Sequence, residues 1–426
     1  MKIAVWHNLP SGGGKRALHG FVQGLLERGH QVEAWCPPTA ERDYLPLAEM
    51  IPERVIPLDV EFRPSRSRWG TMTEPWRSMD ARLNAMGVHA GRCAAEIHAG
   101  GFDLFFAHPC GWFYMSHVGR HVRLPRVLYL QEPFRPLYEA MPSLPWEAPA
   151  YAERFWRSPR GVKRWLAEAI KTDALRVQVR EEKRSAQGYD RILVNSFFSR
   201  ESMLRAYGID ATVVPLGVDR RVFRPLGGRK AGFVVGLGSF DYIKGVDTAV
   251  EAVARLPAPR PALVWICNSG AAPYRAEVEA LAARLGVHLD VKRRLRDEEV
   301  VRLLNEARVM LYTSRLEPFG LAPLEANACG TPVVAVAEGG VRETIRDGVN
   351  GFLGSRDPAA LAELLRRFVE DPALAERMGR QAVEHVARHW SQDASIGQVE
   401  RALQRVLAEK RASRERGGGE PSGKTA

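Results

Sequence analysis

Twice along this chain, short apolar runs that end in glycine, proline or cysteine alternate with stretches of helical periodicity, and this alternation constrains the fold most. An apolar run too short for a helix can bury both faces of a strand only where helices cover the sheet, the condition for a parallel α/β layer. The first unit reads Lys2–Trp6, Pro10-Ser-Gly-Gly-Gly14, helical spacing from Arg16 to Arg28, a Gly29-His30 stop, and a strand at Val32–Cys36. Strand, glycine loop, helix and strand open a doubly wound domain. Further strands are expected at Val55–Leu58, Leu104–His108, Val127–Leu130, Arg191–Asn195 and Thr212–Pro215. Helices are expected over Met79–Ala99, Arg164–Gln187 and Ser199–Tyr207.

A second series starts at Phe233–Leu237 and continues through Ala262–Cys267, Val287–Val291, Arg308–Tyr312, Pro332–Val336 and Gly351–Leu353. Asp357-Pro358 and Asp371-Pro372 each start a helix in its second half. Between the series, Gly217-Val-Asp-Arg-Arg-Val-Phe223-Arg-Pro225 and Leu226-Gly-Gly-Arg-Lys230 mark a boundary. The organisation expected is a first domain over residues 1–215, a linker over 216–230, a second domain over 231–390 and a helix over 391–411. The Gly-, Ser- and charge-rich residues 412–426 are expected to be disordered.

A chain of 426 residues needs more than one core. No apolar run approaches the roughly 20 residues that cross a bilayer. The apolar part of Met1-Lys-Ile-Ala-Val-Trp-His7 is too short for a signal peptide. Cys36, Cys93, Cys110, Cys267 and Cys329 are scattered without metal-type spacing, which favours a reduced, cytoplasmic chain. A formal charge of +11 suits a nucleotide, a polyanion or a membrane surface. No nucleic-acid-binding signature accompanies it, so nucleic acid is not an expected partner.

The most informative stretch is Glu317-Pro-Phe-Gly-Leu-Ala-Pro-Leu-Glu325-Ala-Asn-Ala-Cys-Gly330-Thr-Pro-Val-Val. A helix is expected to start near Ala322 or Pro323, leaving Glu317 on the preceding loop and Glu325 about one turn inside. The N–H groups of Phe319, Gly320 and Leu321 can then meet an anion between the carboxylates, aided by the helix dipole. Hydroxyls at both ends and phosphates in the middle describe a nucleotide-sugar. An acidic helix start complementing the dipole would explain Glu325 alone, but not the whole string.

That string resembles the E-x7-E signature of the family-4-type retaining glycosyltransferases (group 1), which have the GT-B fold of two Rossmann-like domains. The Gly217-Val-Asp…Phe223-x-Pro225 segment is similar to the family's interdomain linker, and the family's last helix crosses back to the N-terminal domain. The resemblance implies transfer of a hexosyl-type sugar from a nucleotide diphosphate donor (UDP-, GDP- or ADP-linked) to an acceptor hydroxyl, with retention and without metal or other cofactor. In it, Glu317 binds hydroxyls of the donor sugar and Glu325 the ribose. Lys244 and the Phe319–Leu321 amides stabilise the departing diphosphate. Attack is from the front face, a donor phosphate oxygen takes the acceptor's proton, and no carboxylate nucleophile is expected. The acceptor class implied is a cell-surface glycan, glycolipid, polysaccharide or small metabolite.

Lys244-Gly245 follows the strand ending Gly236-Leu-Gly-Ser-Phe, where the family places its diphosphate lysine. Taken alone it would read as a solvated loop lysine; as the diphosphate lysine, its replacement by alanine is expected to lower turnover far more than stability. Where the family carries an arginine upstream, this chain has Ser239, so one phosphate clamp is either missing or supplied by Arg293 or Arg294. Gly13 and Gly14 are expected near the donor phosphates, although a glycine loop alone fits a dehydrogenase equally well. Gln131, in Tyr129-Leu-Gln-Glu132-Pro-Phe-Arg135, stands where related enzymes often have a sugar-orienting histidine. Glu132 and His108 are further sugar or acceptor candidates, His108 being equally well explained as a hydrogen-bonded interior histidine. Gly339 and Gly340 could bring backbone N–H groups to the donor, while Glu343 and Asn350 read as structural.

Arg63–Arg77 interleaves arginines with Trp69 and Trp76, and Glu153–Arg184 contains Phe155-Trp-Arg and Lys163-Arg-Trp165. Such faces suit anionic lipid at the inner membrane surface, or solvated helices lining an acceptor groove. Two other functions fit the scaffold: a nucleotide-sugar epimerase, and a non-catalytic sugar-nucleotide-binding protein, the latter favoured by Ser239 and Gln131. A glycan phosphorylase would need a pyridoxal-phosphate lysine and a far longer chain.

Overall fold

The structure, a computed structural model, describes residues 1–139, 155–228 and 230–417. Its first sheet contains β1 (Lys2–Asn8), β2 (Gln31–Cys36), β3 (Glu53–Val55), β4 (Leu104–Cys110), β5 (Arg126–Tyr129), β6 (Arg191–Val194) and β7 (Thr212–Val213). The strands lie in the order β3-β2-β1-β4-β5-β6-β7, and every pairing is parallel. The second sheet contains β8 (Val234–Leu237), β9 (Leu263–Cys267), β10 (Leu289–Arg293), β11 (Val309–Tyr312), β12 (Val333–Val336) and β13 (Gly351–Gly354). Their order is β10-β9-β8-β11-β12-β13, again all parallel. Strand order therefore reverses between β1 and β4 and between β8 and β11, and a ligand crevice forms beyond the strand ends at such a point.

Local chemistry explains the shifts from the expected boundaries. The strand expected at Val55–Leu58 lies instead at Glu53–Val55: Ile56 still donates to the Cys36 carbonyl at 2.9 Å, but Pro57 has no N–H with which to extend the ladder. The strand expected at Val287–Val291 begins only at Leu289. Val287 is used to close the preceding helix, donating to the Ala282 carbonyl at 2.9 Å beside left-handed Gly286. The helices at Glu74–Ala99 and Pro159–Ala186 start earlier than expected, each with proline in its first turn. The helix Leu321–Ala328 likewise starts ahead of Ala322, directly after Gly320 at φ 95°.

The last helix, Gln392–Gly417, lies on helix Gly13–Glu27 of the first domain. Gly24 permits the approach, since a Cβ there would lie 2.2 Å from Cδ1 of Ile396. Ile396, Val399, Leu403 and Val406 are buried along the contact. The helix continues through 412–417, which the expected tail had included; the rest of that tail, and the acidic-aromatic residues just before Phe155, lie outside the described residues. The chain passes between the halves at two neighbouring places. Val218 donates to the Trp390 carbonyl at 2.8 Å, and Ser395 Oγ donates to the Pro215 carbonyl at 2.6 Å. All five cysteines are buried and free. Among the described residues, no helix is long and apolar enough to cross a membrane.

Candidate active site

The crevice between the sheets encloses about 480 Å³, within the range of small-molecule sites. Its first-domain wall is Gly12 with the start of helix Gly13–Glu27 after β1, the end of β4 at Cys110-Gly111, and Gln131-Glu132 after β5. Its second-domain wall is Gly238-Ser239 and Lys244 after β8, Asn268 after β9, Glu317 after β11, and Leu321 and Glu325 of the following helix. Sequence positions 13, 14, 131, 132, 244, 317, 321 and 325 thus converge on one cavity.

Lys244 is held in place by its backbone. Asp241 caps its turn, accepting from the Lys244 N–H at 3.1 Å, while Thr313 Oγ1 donates to the Lys244 and Gly245 carbonyls at 2.9 and 2.8 Å. Ser239, which stands at the departure from the family pattern, donates its hydroxyl to Asp241 and so braces the same turn. The Lys244 ammonium reaches Glu317 Oε2 at 2.7 Å, and Ser314 Oγ donates to that oxygen at 2.6 Å. Burial alone would raise the Glu317 pKa, but Lys244, Ser314 and Arg135 outweigh it and hold the carboxyl down at about 2. Glu317 enters this site as a fixed anion.

Glu325 is in the opposite state. It is only 6% exposed, and burial pushes its pKa up to about 7, with Arg16 pulling down and Asp297 pushing up. Arg16 comes from the first domain. It binds Asp297 through two nitrogens at 2.8 and 2.6 Å, donates to the Tyr44 hydroxyl at 2.7 Å, and places Nε 3.3 Å from Glu325. A bidentate pair of this kind fixes orientation as well as charge. Sequence reasoning missed Arg16 because its partners, Asp297 and Glu325, lie some 280 and 310 positions away, roughly two domains' worth of chain.

Several expected residues are elsewhere. Arg293 and Arg294 are exposed and do not line the cavity, so Arg16 is the arginine present there. His108 is fully buried outside it, among the rings of Phe21, Phe106 and Tyr129, and neither ring nitrogen has a hydrogen-bond partner. Burial lowers its pKa to about 3. The side chain of Phe319 turns into the core against Trp390, and Gly320 serves as the turn before the helix rather than as cavity wall. Gly339 and Gly340 act on the Glu317 loop from behind. Gly340 donates to the Glu317 carbonyl at 2.7 Å, and a Cβ on Gly339 would lie 2.3 Å from that same oxygen.

Arg356 also fastens this loop, donating to the Thr313 and Ser314 carbonyls at 2.8 and 3.1 Å and pairing with Glu338 at 2.6 Å. Glu343, read from sequence as structural, ties the two halves together. It crosses to the first domain and accepts from the N–H groups of Phe197 and Phe198, at 2.9 Å each, at the start of helix Phe197–Tyr207. Away from the cleft, His7, Cys36 and Glu53 bring potential metal-ligating atoms within 4.8 Å of one another. His7 already hydrogen-bonds Glu53 at 2.9 Å, so two of the three side chains are engaged with each other.

Two facing Rossmann-like sheets with a charged cleft between them define a GT-B architecture, and solved structures share it. Sucrose-phosphate synthase from Thermosynechococcus elongatus superposes with TM-score 0.69 at 20% identity, covering 96% of this chain and 99% of its own. Anabaena HepE in complex with UDP-glucose gives TM-score 0.67 at 20% identity over 95% and 99%. The family model for Glycosyltransferase Family 4 matches residues 11–222, and that for Glycosyl transferases group 1 matches residues 223–385. The chain belongs to the family-4-type, group 1 glycosyltransferases. Among curated relatives, D-inositol 3-phosphate glycosyltransferase of Streptomyces avermitilis is 36% identical over 46% of this chain and 48% of its own length. MMP alpha-(1->4)-mannosyltransferase of Mycolicibacterium hassiacum is 30% identical over 62% and 64%. The chain spans about half the length of the first of these relatives.

Proposed function

We propose that this protein transfers a hexosyl unit from a nucleotide diphosphate-sugar to an acceptor hydroxyl, with retention and without a metal ion. The observation that carries the reading is the ordered set Glu317–Lys244 and Glu325–Arg16 on one cavity between the two sheets. Glu317 would accept hydroxyls of the donor sugar, its low pKa keeping it an acceptor throughout. Lys244 would face the diphosphate and meet the charge that develops as the sugar leaves. Glu325, steadied by Arg16, would accept the ribose hydroxyls. Lys244, Arg16 and the start of helix Leu321–Ala328 supply positive potential where a metal would otherwise be needed. Structures of HepE with UDP and UDP-glucose support a nucleotide-sugar donor, and the relatives' names support an acceptor carrying hydroxyls.

The protein would work at the cytoplasmic face of a membrane. Trp156 and Trp165 are 64% and 46% exposed in a segment that also carries Arg157, Arg160 and Lys163, and Trp69 is 72% exposed; exposed aromatic and basic side chains of this kind suit anionic headgroups. Vesicle sedimentation that shows no dependence on anionic lipid would remove this part of the reading. The activity is tested by thermal shift with a panel of UDP-, GDP- and ADP-sugars. One donor class should stabilise the wild type and fail to stabilise Glu325→Gln. A panel without effect, or a solved donor complex in which neither carboxylate touches the ligand, would overturn it.

A further inference from the structure

The charges that line the cleft restrict what can enter beside a nucleotide-sugar. Four carboxylates line it, Glu132, Asp297, Glu317 and Glu325, and among the described residues only two cations do, Arg16 and Lys244. Both cations are committed, Arg16 to Asp297 and Glu325, and Lys244 to Glu317. Arg135, which does not line the cavity, ion-pairs with Glu132 at 3.4 Å and with Glu139 at 2.7 Å, and donates to the Arg315 carbonyl. Burial pushes the Glu132 and Glu325 pKa values up to about 7, so near neutrality the lining carries a charge at or below zero. A donor diphosphate brings more negative charge and draws on Lys244. A phosphate on the acceptor would then face Glu132 and that diphosphate with no uncommitted lining cation to receive it, and like charges so juxtaposed repel.

What the first-domain wall offers instead is uncharged. Tyr114 lines it in the left-handed region at φ 49°, fixed by paired backbone hydrogen bonds with Cys110 at 2.8 and 2.9 Å. Residues other than glycine seldom adopt that conformation, and those that do cluster at ligand sites. The Tyr114 ring packs 5.0 Å from that of Phe134; burial, with Glu132 beside it, raises the pKa of its hydroxyl, which stays a neutral donor. Gln131 lays its amide against the start of helix Gly13–Glu27, where a Cβ on Gly14 would lie 3.2 Å from Oε1 and 3.3 Å from Nε2. That Nε2 is buried with no hydrogen-bond partner. Buried polar atoms are nearly always paired, so an orphan at a ligand cavity marks where a ligand's oxygen belongs. An amide gives and takes hydrogen bonds as a hydroxyl does, and a tyrosine joins an apolar face to a polar tip, as a sugar ring does. Resting on the transfer reading above, we propose that Tyr114 and Gln131 form the acceptor subsite, and that the acceptor is an uncharged pyranoside rather than a sugar or polyol phosphate. The Tyr114 ring takes the C–H face of that sugar, Gln131 Nε2 donates to one of its hydroxyls, and Glu132 turns anions away. Both subsite residues bind, and neither is asked to move a proton.

The test uses the donor giving the largest thermal shift. Methyl glycosides of glucose, mannose and their disaccharides are set against glucose 6-phosphate, mannose 6-phosphate and D-inositol 3-phosphate, with products read by mass spectrometry. The best neutral glycoside should exceed every phosphorylated acceptor in kcat/KM by roughly 10-fold or more. Tyr114→Phe and Gln131→Leu should each raise the KM for that glycoside on the order of 10-fold, with donor KM and donor-induced thermal shift as in the wild type. Glu132→Gln should narrow the gap between neutral and phosphorylated acceptors. A preference for a phosphorylated acceptor, or an acceptor KM unmoved in both subsite variants, would overturn the proposal. A donor KM that rises in place of the acceptor KM would put the two residues on the donor side and also overturn it. Donor hydrolysed by the wild type but transferred to none of the neutral glycosides overturns the acceptor assignment and leaves the transfer reading standing. Absence of donor consumption with every acceptor refutes the transfer reading itself, together with this proposal.

Discussion

Replacing Lys244 with methionine separates the ion pair from the packing, because methionine keeps most of the stem and removes the charge. Lys244 and Glu317 are 22% and 16% exposed at a separation of 2.7 Å. A free glutamate titrates near 4.5 and Glu317 near about 2. At about 1.4 kcal/mol per pH unit this gap corresponds to roughly 3 kcal/mol. The sign follows from linkage. A depressed carboxyl stabilises the fold above its unfolded pKa, and the contribution fades as pH falls from about 4.5 towards about 2. Lys244→Met should therefore destabilise at pH 7 by up to about 3 kcal/mol, or roughly 6–12 °C in the melting of its domain. Glu317→Gln alone should also destabilise, leaving the Lys244 ammonium buried without its counter-ion. The double variant should lose less than the sum, with a coupling of about 2–3 kcal/mol between pH 6 and 8. Melting of the four proteins across pH 3–8 measures this. Strict additivity, or a coupling that persists undiminished at pH 3, would show that the two charges do not stabilise one another.

Gly340→Ala should displace the Glu317 loop, since its Cβ would lie 2.1 Å from the Pro318 carbonyl; donor-induced stabilisation should fall sharply, with an intrinsic loss of about 1–3 kcal/mol seen in melting. Asn350→Ala removes a side chain that donates to Asn327 Oδ1 at 2.7 Å and to the Thr344 carbonyl at 3.0 Å, and accepts from the Arg346 N–H at 2.7 Å. A loss of about 2–4 kcal/mol on chemical denaturation is expected, with residual donor binding at low temperature. Arg16→Gln takes away the charge that restrains the Glu325 pKa, so this carboxyl should titrate above about 7. Calorimetric donor affinity should then weaken near neutrality and recover as pH rises towards 9.

The alternation of strand and helix was legible because both faces of each sheet are covered, and so every strand is a nearly unbroken apolar run. The Glu317–Glu325 string was legible for a different reason: loop lip, turn and helix are contiguous in sequence. What sequence could not supply was the company each residue keeps across the cleft. Arg16 reads as one arginine on an amphipathic helix, and only the approach of helix Asp297–Glu306 gives it a bidentate partner. His108 illustrates the converse error. Its position at the end of β4 pointed to the cleft, yet strand alternation turns the ring into a cage of Phe21, Phe106 and Tyr129. Gly339 and Gly340 were read as bringing backbone N–H groups to the donor, whereas their close neighbour is the chain's own Glu317–Pro318 segment.

The Glu317 loop is gripped from both halves at once: Gly340 and Arg356 hold it from the second domain, while Ser196 of the first donates its hydroxyl to the Pro318 carbonyl at 2.5 Å. The loop can therefore take up its full set of bonds only when the halves have met. A change at Ser196, in the first half, would thus reach the Glu317 loop from the far side of the cleft.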